Sequence, residues 1–138
     1  MLILKALILE KKILIFSLHS QACSNFILSL LSLLPGLLHF RFDTKNVCLY
    51  ELSYRNDGFP LRIFDDDKRM LMLYFTIHNL DALKTKESYL IGTTNLLIKT
   101  HKNTQADMLV DVDKSTIEFK CEKFQKLLQL NSGEKKFI

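Results

Sequence analysis

Proline and glycine are scarce in this sequence, with two prolines and four glycines among 138 residues. Together with 48% hydrophobic and 25% charged residues, this composition excludes collagen-like, low-complexity and disordered chains. The length fits one domain or a fragment of one, and it allows a sizeable core. The net charge is only +4, whereas a nucleic-acid-binding domain usually carries a denser basic footprint. We therefore expect no nucleic acid among the partners.

Cysteine is also rare, and its spacing excludes two kinds of small domain. Cys23, Cys48 and Cys121 are an odd number, they lie far apart, and no Cys-x-x-Cys pair is present. A disulfide scaffold uses an even and denser set, and a structural zinc site needs paired cysteines. We therefore interpret all three as buried, reduced thiols of a cytosolic protein.

The motifs that carry catalysis are missing as well. The four glycines are too far apart for a phosphate-binding loop, and the sequence has no nucleophile elbow. No two histidines form a His-x-x-x-His pair, which excludes a zincin-like site. The sequence thus predicts no catalytic residue, no cofactor site and no metal site. A small-molecule enzyme on an α/β scaffold stays an alternative that these absences weaken, because a fold alone never establishes an activity.

Several groups of charged residues have two interpretations, and for each we favour a solvated surface. Residues 65–68 lack the alternating oxygen ligands, the glycine and the later glutamate of a calcium loop. Asp111 and Asp113 are two positions apart, so we expect both to face outward from a strand. Basic side chains are densest in two places, for which contact with an anionic membrane surface stays open. These are Lys99, His101 and Lys102 in the first place, and Lys120, Lys123 and Lys126 in the second.

The N-terminal part is much more apolar than the rest, and residues 13–40 contain no Lys, Arg, Asp or Glu. A run of this length is a transmembrane candidate, so a small integral membrane protein anchored through residues 13–40 is the alternative prediction. Three details favour buried elements of an α/β domain instead. Polar residues interrupt the run at 19–25, Pro35-Gly36 divides its second half, and a narrow polar stripe follows helical spacing. The stripe consists of Gln21, Asn25, Ser29 and Ser32.

The order of the apolar runs predicts an α/β fold with a mainly buried sheet flanked by helices. We predict a helix over residues 2–10, a strand over 13–18, and a second helix that Ser20 caps and that ends near residue 34. Both helices are expected to pack on the sheet. The later predicted elements are strands at 47–52 and 70–77, a segment 89–100 divided at Asn95, a hairpin of 108–113 and 116–119, and an amphipathic helix over 122–130 with Phe124, Leu127 and Leu128 on its apolar face.

The chain starts inside an apolar helix, with no capping residue ahead of Leu2. A domain rarely begins in this way. We therefore expect residues 1–138 to form a single partial domain that is a fragment of a longer protein.

Six stretches, in this order, resemble the DENN-domain family, and specifically its Avl-type late-secretory-pathway members. SYLIGTTN at 88–95 is the most similar of the six. The resemblance spans nearly the whole chain, although residues 65–68 and 70–74 depart from the family pattern. The other five stretches are LKALILEKKILIF at 4–16, LSLLSLLPGLL at 28–38, GFPLRIF with YFTIHNLDAL inside 58–83, ADMLVDVDKSTIEF at 106–119 and KLLQLNSGEKKF at 126–137.

The resemblance implies the second half of a central DENN region, without the longin-like lobe that precedes it in the family. It implies a regulator of membrane trafficking in the late secretory, or exocytic, pathway that binds a Rab-type small GTPase. It further implies guanine-nucleotide exchange activity for the full-length protein only. Exchange of this kind uses protein contacts and no covalent catalytic group, so we expect a non-enzymatic regulator. The implied location is cytoplasmic and peripheral to vesicle or Golgi membranes, and no contact residue is transferred from the family by number.

Overall fold

Five strands in the described part of the chain form one mixed sheet that helices flank. The computed structural model describes residues 1–38, 62–64, 66–101, 104–129 and 133. In chain order the elements are helix α1 (Leu2–Ile8), strand β1 (Lys12–Phe16), helix α2 (Ser20–Ser32), strand β2 (Arg69–Met72), a 3-10 segment (Ile77–Thr85), strand β3 (Ser88–Thr93), helix α3 (Leu96–Thr100), strand β4 (Met108–Asp111), strand β5 (Thr116–Phe119) and helix α4 (Glu122–Leu128).

The strand order across the sheet is β2-β3-β1-β4-β5. The first four strands run parallel, and β5 pairs with β4 in the antiparallel sense. Parallel strands cannot be joined by a tight turn and need a crossover connection. The 3-10 segment connects β2 to its neighbour β3, and α3 connects β3 to β4, which lies on the other side of β1. The predicted α/β fold, with its C-terminal hairpin and helix, is confirmed.

Strand β1 lies in the middle of the sheet because its side chains are apolar on both faces. Ile13, Leu14 and Ile15 are completely buried, and Phe16 is nearly so. Ile13 and Ile15 belong to the core that α1 and α2 cover, whereas Leu14 faces the core beneath the 3-10 segment and α3. A continuous apolar run is what a parallel strand covered on both faces requires.

Helix α2 covers the first face of the sheet with one side and presents its polar stripe to solvent. Cys23, Ile27, Leu30 and Leu31 are buried in the core. The four stripe residues Gln21, Asn25, Ser29 and Ser32 are all exposed, as predicted. The expected capping role of Ser20 is wrong, since His19 occupies the N-cap and Ser20 is the first helical residue.

The alternative prediction of a membrane span through residues 13–40 does not hold for the described residues of that range. They form a strand and a 13-residue helix that both pack into one core. Among the described residues, no helix has the length and the apolar character that crossing a bilayer requires.

Leu30→Asp tests whether α2 is packed on the sheet. Leu30 is 9% exposed, whereas Leu33, at the end of the same helix, is 61% exposed. A carboxylate buried without a partner costs several kcal/mol (roughly 3–5), a large part of the stability of a domain this size. We expect a folded Leu33→Asp control and a Leu30→Asp variant with a greatly lowered Tm in circular dichroism. Equal melting temperatures would contradict the buried position of this helix.

The 3-10 segment and α3 cover the second face of the sheet. Phe75, Leu83, Ile91 and Ile98 are buried there together with Tyr89. The hydroxyl of Tyr89 donates a hydrogen bond to the Thr104 carbonyl, and burial raises the pKa of this phenol. The predicted strand over residues 70–77 is too long: β2 ends at Met72, and Ile77 already begins the 3-10 segment.

Gly92 lies at the tightest contact between β3, β2 and α2. A Cβ atom at this position would lie 2.5 Å from the Leu73 carbonyl oxygen, 3.0 Å from Ile27 Cδ1 and 3.1 Å from Cys23 Cβ. The nearest of these atoms belongs to the backbone, which cannot move aside as a side chain can. Glycine is therefore the residue that fits between these elements.

Gly92→Ala should lower the free energy of unfolding by about 1–3 kcal/mol, since overpacking a buried site displaces its neighbours. Ser88→Ala in the same strand is the matched control. The Ser88 hydroxyl is buried and has no hydrogen-bond partner among the described residues, so its removal should be neutral or mildly stabilising. Urea unfolding monitored by fluorescence or circular dichroism gives both values. A Gly92→Ala protein as stable as the parent would refute the close contact.

The C-terminal hairpin follows the prediction, whereas one residue of the last helix does not. Residues 113–115 turn the chain between β4 and β5, and Ser115 adopts a positive φ of 52°. In α4, Leu128 is buried and Phe124 packs edge-on against Phe119, but Leu127 is 74% exposed. Its neighbours Gln125, Lys126 and Gln129 are exposed as well, so the apolar face of the helix is narrower than the spacing predicts.

The prediction of buried thiols is confirmed for one cysteine and wrong for another. Cys23 is buried, its thiol donates to the Thr93 carbonyl at 3.4 Å, and burial raises its pKa. Cys121 is exposed as the N-cap of α4, because the chain leaves the sheet at that point. Cys48 and the predicted strand 47–52 lie outside the described residues.

Candidate functional site

The carboxyl ends of the parallel strands meet at one edge of the sheet, here called the carboxyl edge. It is formed by the residues that directly follow β2, β3, β1 and β4. In open α/β sheets, ligands bind outside the carboxyl ends of the strands, at the point where the connections diverge. The ends of β1 and β3 form such a point, since α2, which follows β1, covers one face of the sheet and α3, which follows β3, covers the other. The carboxyl edge is therefore the expected position of a ligand or partner.

Asp113 ties the end of β1 to the hairpin at the carboxyl edge. The Ser17 hydroxyl donates to Oδ1 of Asp113 at 2.8 Å, and the backbone N–H of Leu18 donates to Oδ2 at 2.6 Å. Ser17 Oγ in turn accepts a hydrogen bond from the His19 N–H at 3.2 Å. All these groups hold one another in place. Ser17 is thus a bridging residue between two turns, with a carboxylate and not a histidine as its partner.

Asp111 forms an ion pair with Lys99 of α3, and its side chain is only 1% exposed. The ammonium nitrogen lies 2.7 Å from Oδ2, and Oδ1 accepts the Lys114 N–H at 3.0 Å. The hydrogen bond from Lys99 holds the pKa of Asp111 below its ordinary value. The prediction of an outward-facing Asp111 is wrong, because α3 covers this face of β4 and supplies the counter-charge.

The ammonium group of Lys99 also lies 4.6 Å from the centroid of the Phe16 ring. A cation at this distance from an aromatic face is stabilised by the ring. Lys99 therefore fixes α3 against β1 and β4 at the same time. Its contacts describe a structural lysine.

Lys99→Met should destabilise the protein by about 3 kcal/mol at neutral pH, because it leaves a buried carboxylate without its partner. The difference from the parent should shrink as the pH falls below 3.8, the ordinary pKa of aspartate, since the parent loses its ion pair there. Lys84→Met is the matched control: it removes the exposed Lys84–Asp81 pair and should change stability little. Urea unfolding at a series of pH values measures both effects, and a pH-independent difference would contradict the assignment.

The exit from β3 is held by a second set of hydrogen bonds. Thr93 Oγ1 donates to the Phe75 carbonyl at 3.1 Å and accepts the Asn95 N–H at 3.2 Å. Asn95 Oδ1 caps α3 by accepting the Leu97 N–H at 2.8 Å. The hydroxyls of Tyr74 and Thr94 are 3.0 Å apart and join the ends of β2 and β3.

Exposed apolar side chains also lie at the carboxyl edge, beside these hydrogen-bonded polar groups. Four of them, each within four residues after the end of a parallel strand, are between 42% and 65% exposed. Because β2, β3 and β1 are neighbours in the sheet, the four residues share one edge. Clustered apolar exposure of this kind marks interaction surfaces of soluble domains. This carboxyl-edge apolar surface consists of Leu18, Tyr74, Leu96 and Leu97.

Sequence reasoning missed this surface, although one signal for it was present. Asn95 is a good N-cap followed directly by the apolar residues Leu96, Leu97 and Ile98. Three consecutive apolar residues cannot all face the core from one helix. In α3 only Ile98 is buried, so the two leucines project from the edge.

The other candidate groups do not assemble into a chemical centre in the described residues. A cavity of about 310 Å³ beside α3 is lined in part by Leu14, Lys99 and Thr104. Lys99 is engaged by Asp111, and the Thr104 hydroxyl donates to the Ile98 carbonyl at 2.7 Å. No group of three His, Cys, Asp or Glu side chains in the described ranges is placed to hold a metal ion. Lys120, Lys123 and Lys126 are exposed, while Asp65 and Lys102 lie outside the described residues.

Fold and site together define the class of protein: a mixed α/β domain with paired polar groups and exposed apolar side chains at the carboxyl edge. The profile of the family described as "Transport protein Avl9" matches the chain over residues 1–53 and 42–138. The chain belongs to this family. The predicted resemblance to Avl-type proteins is thereby confirmed.

Two curated relatives match over the full length of the chain. The late secretory pathway protein AVL9 of Saccharomyces cerevisiae is 27% identical over 157 residues, and the chain covers 20% of it. The late secretory pathway protein avl9 of Schizosaccharomyces pombe is 29% identical over 158 residues, with 33% of it covered. The chain thus spans about a fifth to a third of these relatives. No solved structure matches the chain.

Proposed function

We propose that this chain acts in a regulator of membrane trafficking in the late secretory pathway. The family is described as a transport protein, and both curated relatives are named as late secretory pathway proteins. Since the chain corresponds to a limited part of each relative, the role belongs to the whole protein, in which this domain contributes one part.

The proposed mode of action is binding of a Rab-type small GTPase, with guanine-nucleotide exchange as an activity of the full-length protein. This proposal includes the assignment of the chain to the second half of a central DENN region. It also describes a regulator that works through protein contacts and not through a covalent catalytic group. In support, the polar groups of the carboxyl edge that would otherwise be candidates for chemistry bind one another, as Ser17 binds Asp113 and Lys99 binds Asp111.

The observation that carries the proposal is the carboxyl-edge apolar surface. Protein interfaces bury a central group of apolar and aromatic side chains inside a polar rim. Leu18, Leu96, Leu97 and Tyr74 supply such a centre, and Lys114 and Asp113 beside them supply charges of both signs. The hydrogen bonds of Asn95 and Asp113 hold the two leucine-bearing turns in place, which limits the entropy lost when a partner binds.

The paired substitution Leu96→Ser with Leu97→Ser tests this proposal. Side chains at the centre of an interface carry most of its binding energy, so we expect binding to weaken about tenfold or more. The fold should persist, because both side chains are exposed and the N-cap bond uses the backbone of Leu97. The experiment measures the amount of nucleotide-free Rab-type GTPase that the full-length protein captures.

Leu127→Ser is the matched control, since Leu127 is an even more exposed leucine on α4, away from the carboxyl edge. It should bind the GTPase as the parent does. Two results would refute the proposal: no GTPase of the Rab class is captured by the parent, or the Leu96/Leu97 variant captures it unchanged.

A further inference from the structure

The edge of the sheet opposite the carboxyl edge brings lysines together around one aspartate. The Lys12 N–H donates to Oδ2 of Asp107 at 3.1 Å, and the Asp107 N–H donates to the Lys12 carbonyl at 2.8 Å. The Lys120 N–H donates to the Asp107 carbonyl at 3.1 Å. Lys12, at the start of β1, and Lys120, after the end of β5, therefore lie on the two sides of Asp107.

Helices α1 and α4 add apolar and basic side chains to the same edge. The two helices are in contact, α1 leads into β1, and α4 begins directly after β5. Ile8 and Leu9, at the end of α1, are 47% and 51% exposed, and Lys123 is exposed in the first turn of α4. We call Ile8, Leu9, Lys11, Lys12, Lys120 and Lys123 the amino-edge basic surface.

The positive charge of this surface is not neutralised by the neighbouring acids. Glu10 points to other partners, since it binds Arg69 at 2.5 Å and accepts the Phe64 N–H at 2.6 Å. Asp107, Glu118 and Glu122 are the carboxylates on its neighbouring backbone positions. In the described part of the chain, none of the four lysine ammonium groups has a carboxylate within ion-pair distance. Four cations thus face three acids.

We propose that the amino-edge basic surface binds the anionic surface of a phospholipid bilayer. Lysines near a membrane are attracted by anionic headgroups, and their long apolar stems allow the ammonium group to reach the phosphate level. Exposed Ile8 and Leu9 enter the boundary between headgroups and acyl chains, as apolar residues of interfacial helices do. An aliphatic pair fits a bilayer better than a nucleic acid, whose bases stack on aromatic rings.

The inference rests on the proposed function only in the role in membrane trafficking, for which it supplies a surface that contacts the membrane. It does not involve the carboxyl-edge apolar surface, which lies at the other ends of the same strands. A bilayer at one edge therefore leaves the opposite edge free for a protein partner.

The test is co-sedimentation of the whole chain with phospholipid vesicles. Phosphatidylcholine vesicles that contain phosphatidylserine are compared with pure phosphatidylcholine, at low and at high salt. We expect the parent to bind the anionic vesicles and to be released by salt. Each lysine near the surface is worth about a fivefold change in binding, so Lys120→Gln with Lys123→Gln should weaken binding about 25-fold. Leu9→Ser should weaken it about fivefold, by loss of apolar insertion.

Lys114→Gln is the matched control, because it removes one exposed lysine from the hairpin turn at the opposite edge. This variant and the Leu96→Ser, Leu97→Ser protein should bind vesicles as the parent does. No GTPase is present, so a failure here is distinct from a failure of GTPase capture. Circular dichroism confirms that each variant is folded.

Four results with vesicles would overturn the inference. They are a parent that does not sediment with anionic vesicles, equal binding to neutral vesicles, full binding by the Lys120/Lys123 variant, and loss of binding in the Lys114 control. A lipid-free dimer that Leu9→Ser dissociates would also overturn it, since a second copy of the chain would then cover this surface.

Discussion

The central position of β1 is the constraint on which the rest of the fold depends. Its side chains from Ile13 to Phe16 are buried on both faces, and it pairs in parallel with β3 on one side and β4 on the other. Parallel neighbours cannot be joined by tight turns, so the chain must cross the sheet between strands. The crossovers provide the cover for both faces, and they bring the ends of β2, β3, β1 and β4 to a common edge. The positions of Ser17, Thr94 and Asp111 follow from this one arrangement.

Much of this fold could be predicted from the sequence because the local pattern and the tertiary environment agree. The apolar run in β1 has no polar position to expose, so a buried parallel strand is its natural state. In α2, the four polar stripe residues lie opposite Cys23, Ile27, Leu30 and Leu31, and the helix has only one orientation that buries the latter set. The hairpin between β4 and β5 likewise follows from alternation and a polar turn.

The mistakes concern residues whose environment is set by a distant part of the chain. Asp111 alternates with apolar neighbours and would face solvent in an isolated hairpin. Helix α3 lies over that face and places Lys99 beside it, and no local pattern predicts the packing of a five-residue helix. The carboxyl-edge apolar surface was missed for a similar reason. Leu96 and Leu97 have the same side chain as the leucines of the core, and their exposure depends on where α3 begins after its N-cap Asn95.

The two edges of the sheet differ in what they can bind, and the fold keeps them apart. At the carboxyl edge, internal hydrogen bonds engage Asp113 and Asp111, and Leu18, Leu96 and Leu97 are exposed. At the amino edge, the Asp107 carboxylate accepts the backbone N–H of Lys12, and the backbone N–H of Lys120 donates to the Asp107 carbonyl, so both lysines lie beside this aspartate. A five-residue strand separates the edges by about 17 Å. The two proposed surfaces therefore do not compete, because a bilayer at the amino edge leaves the carboxyl edge accessible to a protein partner.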